Sequence, residues 1–202
     1  MAEISATASV QNGPGVLFVN ACIRDGSRTK RLADALLGKL GVEAVQRDLS
    51  LCPIAPLDKI GLENRENGGQ NGFALPCFDI AKEFSKADVI VIAAPYWDLS
   101  FPAVLKAYLE SVCICGLTFF YGEDGLPHSL CRAKKLIYVT TSGGYIGELN
   151  FGYDYVKGIC KSFFGIDDTE FISAQGLDII GNDADEIMNG TINSLKNYDL
   201  AL

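Results

Sequence analysis

Arg24, Arg28, Lys30 and Arg31 place four cations within eight residues of a chain whose formal charge is −8. Ser27 and Thr29 stand among them. Hydroxyls and unpaired backbone N–H groups at a helix start, with cations alongside, suit a phosphate. The plainer alternative is an N-cap at Ser27 or Thr29 followed by a solvated basic face. A second group is Pro95-Tyr96-Trp97-Asp98-Leu99-Ser100-Phe101-Pro102, where three aromatics crowd one loop. They can line a flat aromatic ligand, or form a satellite core over the next helix. The third group is Thr140-Thr141-Ser142-Gly143-Gly144-Tyr145. Its glycines allow close backbone approach, so amide N–H groups can hold a ring edge that gains negative charge; alone, it also reads as a simple turn. Phosphate socket, aromatic wall and amide strip together fit a planar heterocycle with one phosphate tail, flavin mononucleotide (FMN).

Other chemistries find little support. The chain has one histidine, His128, in the turn-like Leu126-Pro127-His128-Ser129. That removes a Cys₂His₂ metal site and nearly removes a catalytic triad. Cys113 and Cys115 have no second pair or histidine cluster nearby, so no metal site is expected. No Gly-x-Gly-x-x-Gly follows the first strand and no Gly-x-x-x-x-Gly-Lys-Ser/Thr occurs, which disfavours a dinucleotide site and a P-loop NTPase.

Regular elements must position the three loops. Val16–Asn20, Val89–Ala94 and Leu136–Thr140 are continuous apolar runs, the pattern of strands buried on both faces. Val42–Leu49 and Glu170–Ala174 read as two more strands. Helices are expected at Leu32–Leu40, ended by Gly41, and at Phe78–Lys86, Pro102–Val112, Tyr153–Phe164 and Ala184–Tyr198. Cys52–Pro76 is irregular: a long loop, or a short helix between turns. Alternating strands and helices imply a parallel sheet with right-handed crossovers. The expectation is an α/β, flavodoxin-like, doubly wound five-stranded sheet of order 2-1-3-4-5 with helices on both faces, in one domain over 15–202. Met1–Pro14 is expected to be a disordered lead-in. In such a sheet, ligands lie beyond the strands' carboxyl ends where strand order reverses, and the three loops emerge there.

The 202 residues carry 17 Lys+Arg against 25 Asp+Glu, with 49% apolar and 21% charged residues, a globular composition. An acidic chain without a basic face is a poor partner for nucleic acid or an anionic membrane. No apolar run approaches the ~20 residues of a membrane span. Seven scattered cysteines, with no positive segment before Arg24, suggest a reduced, cytoplasmic setting.

Ala93-Ala94-Pro95-Tyr96-Trp97-Asp98, then Phe101-Pro102-Ala103-Val104-Leu105-Lys106, resembles the flavodoxin-like NAD(P)H dehydrogenase (quinone) and FMN-dependent azoreductase family. So does Gly116-Leu117-Thr118-Phe119-Phe120-Tyr121 with Asp124-Gly125, and Lys134-Lys135 leading into Thr141-Ser142-Gly143-Gly144. The resemblance runs from about Val16 to Gly176 and is strongest over Ala87–Tyr145. It implies FMN held by Ser27, Arg28 and Thr29 at the phosphate, by Tyr96, Trp97, Asp98 and Leu99 at the ring, and by Thr141, Ser142, Gly143 and Gly144 on a second ring loop; Arg24, Pro95 and Tyr145, from the composition of the same three loops, join them as cofactor-binding candidates. It implies NAD(P)H as donor, a small-molecule electron acceptor such as a quinone or azo compound, a homodimer, and chemistry carried by the flavin with no catalytic side chain. Phe120 and Tyr121 then face the substrate cavity, or else pack a short extra strand. The sequence departs from the azoreductase pattern at Asp98, where an amide is common, at Ser142, where Arg is common, and over Cys52–Pro76. A flavodoxin-type electron carrier and a flavin reductase are the alternative readings.

Overall fold

A computed structural model describes residues 15–198 and 200; the expected lead-in at 1–14 lies outside them. The chain runs β1 (Val16–Asn20), α1 (Arg28–Leu40), β2 (Ala44–Asp48), α2 (Lys59–Gln70), α3 (Asp79–Lys86), β3 (Val89–Ala93) and α4 (Ala103–Val112). It continues with β4 (Phe119–Tyr121), β5 (Pro127–Ser129), β6 (Lys135–Thr141), α5 (Phe151–Phe164), β7 (Asp168–Ala174) and α6 (Ala184–Ser194). The main sheet is five-stranded and parallel, in the order β2-β1-β3-β6-β7. Counting only its own strands, that is the expected 2-1-3-4-5 pattern.

Two features add to the expected elements. Cys52–Pro76 contains α2, a helix of 12 residues, so the second of the two alternatives holds. Phe119–Tyr121 pairs antiparallel with Pro127–Ser129 as a small hairpin outside the main sheet. His128 sits in this hairpin rather than in a free turn.

Alternate residues of the central strands feed opposite cores. Leu17, Val19, Ile90, Ile92, Leu136 and Tyr138 pack with α3, α4 and α5, through residues such as Phe84, Tyr108 and Phe164. Phe18, Val91, Ile137 and Val139 pack with α1 and α6, through Leu32, Leu36 and Met188. Both faces are covered, which is why these strands show no polar alternation. Strand order reverses between β1 and β3, and the carboxyl ends of β1, β3 and β6 open side by side there.

Candidate active site

Asn20 ends β1 and shapes the first loop. Its amide donates to the Asp48 carboxylate at 2.9 Å and its carbonyl oxygen accepts from the Cys22 N–H at 3.0 Å. Ser27 then caps α1, accepting from the Lys30 N–H at 3.3 Å. The first turn of α1 carries no acidic residue, so the positive end of its dipole faces no carboxylate of its own. The Thr29 hydroxyl is buried and lies 2.6 Å from that of Thr141 on β6. This contact joins the first and third loops.

Two backbone bonds tie the second loop to β6: Ala94 N–H to Val139 O at 3.0 Å, and Tyr96 N–H to Thr141 O at 3.0 Å. The loop then folds into a tight turn. Trp97 and Ser100 exchange N–H···O bonds of 3.1 and 2.7 Å, and Asp98 and Leu99 between them sit at φ 52° and 65°. Asp tolerates that left-handed region; Leu occupies it at a cost of about 1–2 kcal/mol. The turn presents Trp97, whose ring has the Arg24 guanidinium 6.0 Å from its centroid.

In the third loop, the Ser142 hydroxyl donates to Gly144 O at 2.6 Å. Past the ends of β6 and β7, backbone bonds tie the two following loops together: Leu177 N–H bonds Ser142 O at 3.1 Å, and Asp178 N–H bonds Gly143 O at 2.9 Å. A Cβ at Gly143 would stand 2.5 Å from Asp178 Oδ2, so a larger residue there would displace that carboxylate. Asp178 in turn accepts from Arg28 Nη2 at 2.7 Å.

These pieces line one cleft of about 270 Å³. It gathers Arg24, Ser27, Arg28 and Thr29 from the first loop, Pro95, Tyr96 and Trp97 from the second, and Thr141, Ser142 and Gly143 from the third. Asp98, Leu99, Gly144 and Tyr145 do not line it. Asp98 and Leu99 form the exposed tip of their turn, and Tyr145 is 72% exposed. Gly144 O is occupied by Ser142 and by the Gly176 N–H. Of the four cations, Arg24 and Arg28 reach the cleft. Lys30 instead pairs with Asp34 at 2.7 Å, and Arg31 with Asp185 at 3.4 Å and Asn189 at 2.8 Å. For those two, the solvated basic face is the better description.

Phe120 and Tyr121 lie apart from the cleft. They border a broad groove of about 740 Å³ with Leu57, Leu62 and Phe73. Phe120 stacks on His128 with ring centroids 5.3 Å apart, and His128 Nε2 is 3.1 Å from Asp124. Their neighbour Phe119 does the core packing, against Phe163 at 4.8 Å.

Gly26, Leu177 and Asp178 also line the cleft and were missed from the sequence. Leu177 and Asp178 lie just past the carboxyl end of β7, so the same edge rule, extended to a fourth loop, would have found them.

The cleft wall carries no histidine or cysteine. Cys22, nearby, is buried, and burial pushes its thiol up to about 11, so it stays protonated at neutral pH. Among the described residues no cluster of His, Cys, Asp and Glu could hold a metal. What the cleft can do is bind. It offers helix-start amides, hydroxyls and an arginine for an anion, Trp97 and Tyr96 for a flat ring, and a glycine for close approach. This donor set fits FMN.

Residues 15–198 match a family described as having a flavodoxin-like fold. An FMN-dependent NADH:quinone oxidoreductase 2 of Clostridium acetobutylicum is 42% identical over 121 residues. That match covers 57% of this chain and 60% of the relative, so it spans less than two thirds of the relative's length. An FMN-dependent NADH:quinone oxidoreductase of Clostridium beijerinckii is 32% identical over 196 residues, covering 90% of this chain and 96% of that one. Among solved structures, an azoreductase of Bacillus anthracis superposes with a TM-score of 0.76 at 25% identity, over 91% of this chain and 97% of the other. Among the described residues no helix is long and apolar enough to cross a membrane.

Proposed function

Since the chain belongs to this flavodoxin-like fold family, matched over residues 15–198, we propose that it is an FMN-dependent NAD(P)H oxidoreductase acting on quinones, azo compounds or similar acceptors. The observation that carries the reading is the single cleft at the β1/β3 switch point, which joins the capped start of α1 to the Trp97 wall. Relatives named as FMN-dependent NADH:quinone oxidoreductases support it.

Ser27, Arg28 and Thr29 would hold the phosphate, with the amides of the first turn of α1. Tyr96 and Trp97 would face the ring system, and the backbone of Ser142 and Gly143 its polar edge. The chemistry supplied by that group is two-electron transfer from a nicotinamide donor to the acceptor. The chain's own task is to orient the donor and acceptor in turn over one face and to keep water from it. No side chain of the cleft has to act as nucleophile.

The acceptor pocket is completed, in this reading, by a second copy of the chain. Leu99, Tyr145, Leu149 and Phe151 stand 44–72% exposed near the cleft mouth, and Phe120 and Tyr121 are exposed on the hairpin. We read residues 15–202 as one domain and the setting as cytoplasmic, in keeping with seven free cysteines.

The test is a titration of purified, flavin-stripped protein with FMN, followed by NADH and a quinone. The expected outcome is saturation near one FMN per chain, quinone-dependent NADH oxidation that requires FMN, and a dimer by sedimentation at micromolar concentration. No FMN binding, or NADH oxidation that is as fast with free flavin as the only acceptor, overturns the reading.

A further inference from the structure

Asp178 sits in the cleft with one ionic partner, Arg28, at 2.7 Å. Arg28 completes its fork on Leu177 O at 3.3 Å. The carboxylate rests against the α-carbon of Gly143. Its hydrogen bond is to the Arg28 guanidinium, and among the described residues it caps no turn or helix start. Asp183, by contrast, accepts from two N–H groups of α6, and Asp58 from the Gly61 N–H. The backbone on either side is pinned: Gly176, Leu177 and Asp178 each donate to the third loop, at 3.0, 3.1 and 2.9 Å. The side chain is 64% exposed. It can therefore swing towards solvent by rotation about χ1 while the loop stays in place.

We propose that Asp178 is an intramolecular stand-in for the ligand's phosphate, holding Arg28 until a phosphate monoester displaces it. The inference rests on the FMN reading above. A guanidinium fork recognises a carboxylate and a phosphate by the same paired N–H geometry, and it serves one at a time. The dianion competes better, because it brings more charge and adds the helix-start amides. The exchange lowers net affinity, since one ion pair is broken for each phosphate bound. Asp178 thus sets how readily the cofactor is released, and it acts only on flavins that carry phosphate.

The test is flavin fluorescence quenching with FMN and with riboflavin, on the wild-type chain, Asp178→Asn, Arg28→Gln and the double variant. Asp178→Asn is expected to tighten FMN by about fivefold, the scale of an exposed ion pair, and to leave riboflavin within about twofold. In the Arg28→Gln background the tightening should vanish. Asp178→Ser should repeat the gain, which separates loss of the carboxylate from any property of the new amide. Unchanged or weaker FMN binding by Asp178→Asn overturns the inference, because the carboxylate is then idle or part of the flavin site. Equal tightening with and without Arg28 also overturns it, since plain repulsion would suffice. A wild-type chain that binds no FMN overturns the functional reading, and this inference with it.

Discussion

Thr29 and Thr141 show how one contact can serve both fold and site. Their hydroxyls meet at 2.6 Å between α1 and β6, with both residues buried. Either hydroxyl alone would be a buried polar group with a missing partner. Thr29→Val keeps the shape and strands the Thr141 hydroxyl, so a loss of about 1–3 kcal/mol is expected in urea unfolding. FMN affinity should fall with it, while Thr29→Ser should retain most of both. Ser27 and Thr29 were legible as a helix start from their types alone. That Thr29 turns inward to β6, with Lys30 and Arg31 turned away, was not legible. It depends on which face of α1 the sheet buries.

At the scale of elements, α2 explains why Cys52–Pro76 was hard to read. Its one buried residue is Gly68, so it shows no apolar stripe of helical period. It is held instead by polar anchors. Asp58 caps its start, and Arg65 donates to Glu110 O at 3.0 Å and to Cys113 O at the end of α4. Gly68 permits the close approach: a Cβ there would stand 2.6 Å from the Phe78 ring and 2.9 Å from Leu75. Gly68→Val is therefore expected to cost about 1–3 kcal/mol through overpacking. The check is a lower urea midpoint with an unchanged slope. The main strands were the reverse case. Continuous Val, Ile and Leu runs mark strands covered on both sides, and β1, β3 and β6 are covered on both sides.

Across the whole molecule, buried and half-buried thiols give stability a pH dependence of known sign. Burial pushes Cys22 and Cys113 up to about 11 and Cys131 up to about 12, from an ordinary value of 9.0. Below the ordinary value, folded and unfolded chains both keep these protons, and the contribution to stability is whole. Between about 9 and 11 the unfolded chain loses them and the folded chain does not, so stability falls as pH rises. Buried Tyr108 and Tyr138 are raised by burial as well and act in the same direction. The urea midpoint of the reduced protein is expected to hold steady up to about pH 9 and then drop towards 11. Cys131→Ala should lessen the drop. A midpoint that is level across that range would contradict the burial of these groups.

Local sequence was enough for the layered α/β architecture, the strand order and the sheet edge at which the candidate cleft opens. Those follow from local sterics and from burial on one or two faces, which write a period into 5–14 residues at a time. It also marked Ser27, Arg28, Thr29 and Trp97 as candidates, because their types carry chemistry at any position. Tertiary structure alone decided which of them converge. Asp178 lies 150 residues from Arg28, and its pairing depends on the backbone bonds that hold the loop after β7 against the loop after β6. Arg31 is drawn off to α6, and Phe120 and Tyr121 to a separate groove. Charge partners and cleft walls are fixed by long-range register and by the rotation of each helix on the sheet, and no short stretch of chain encodes either.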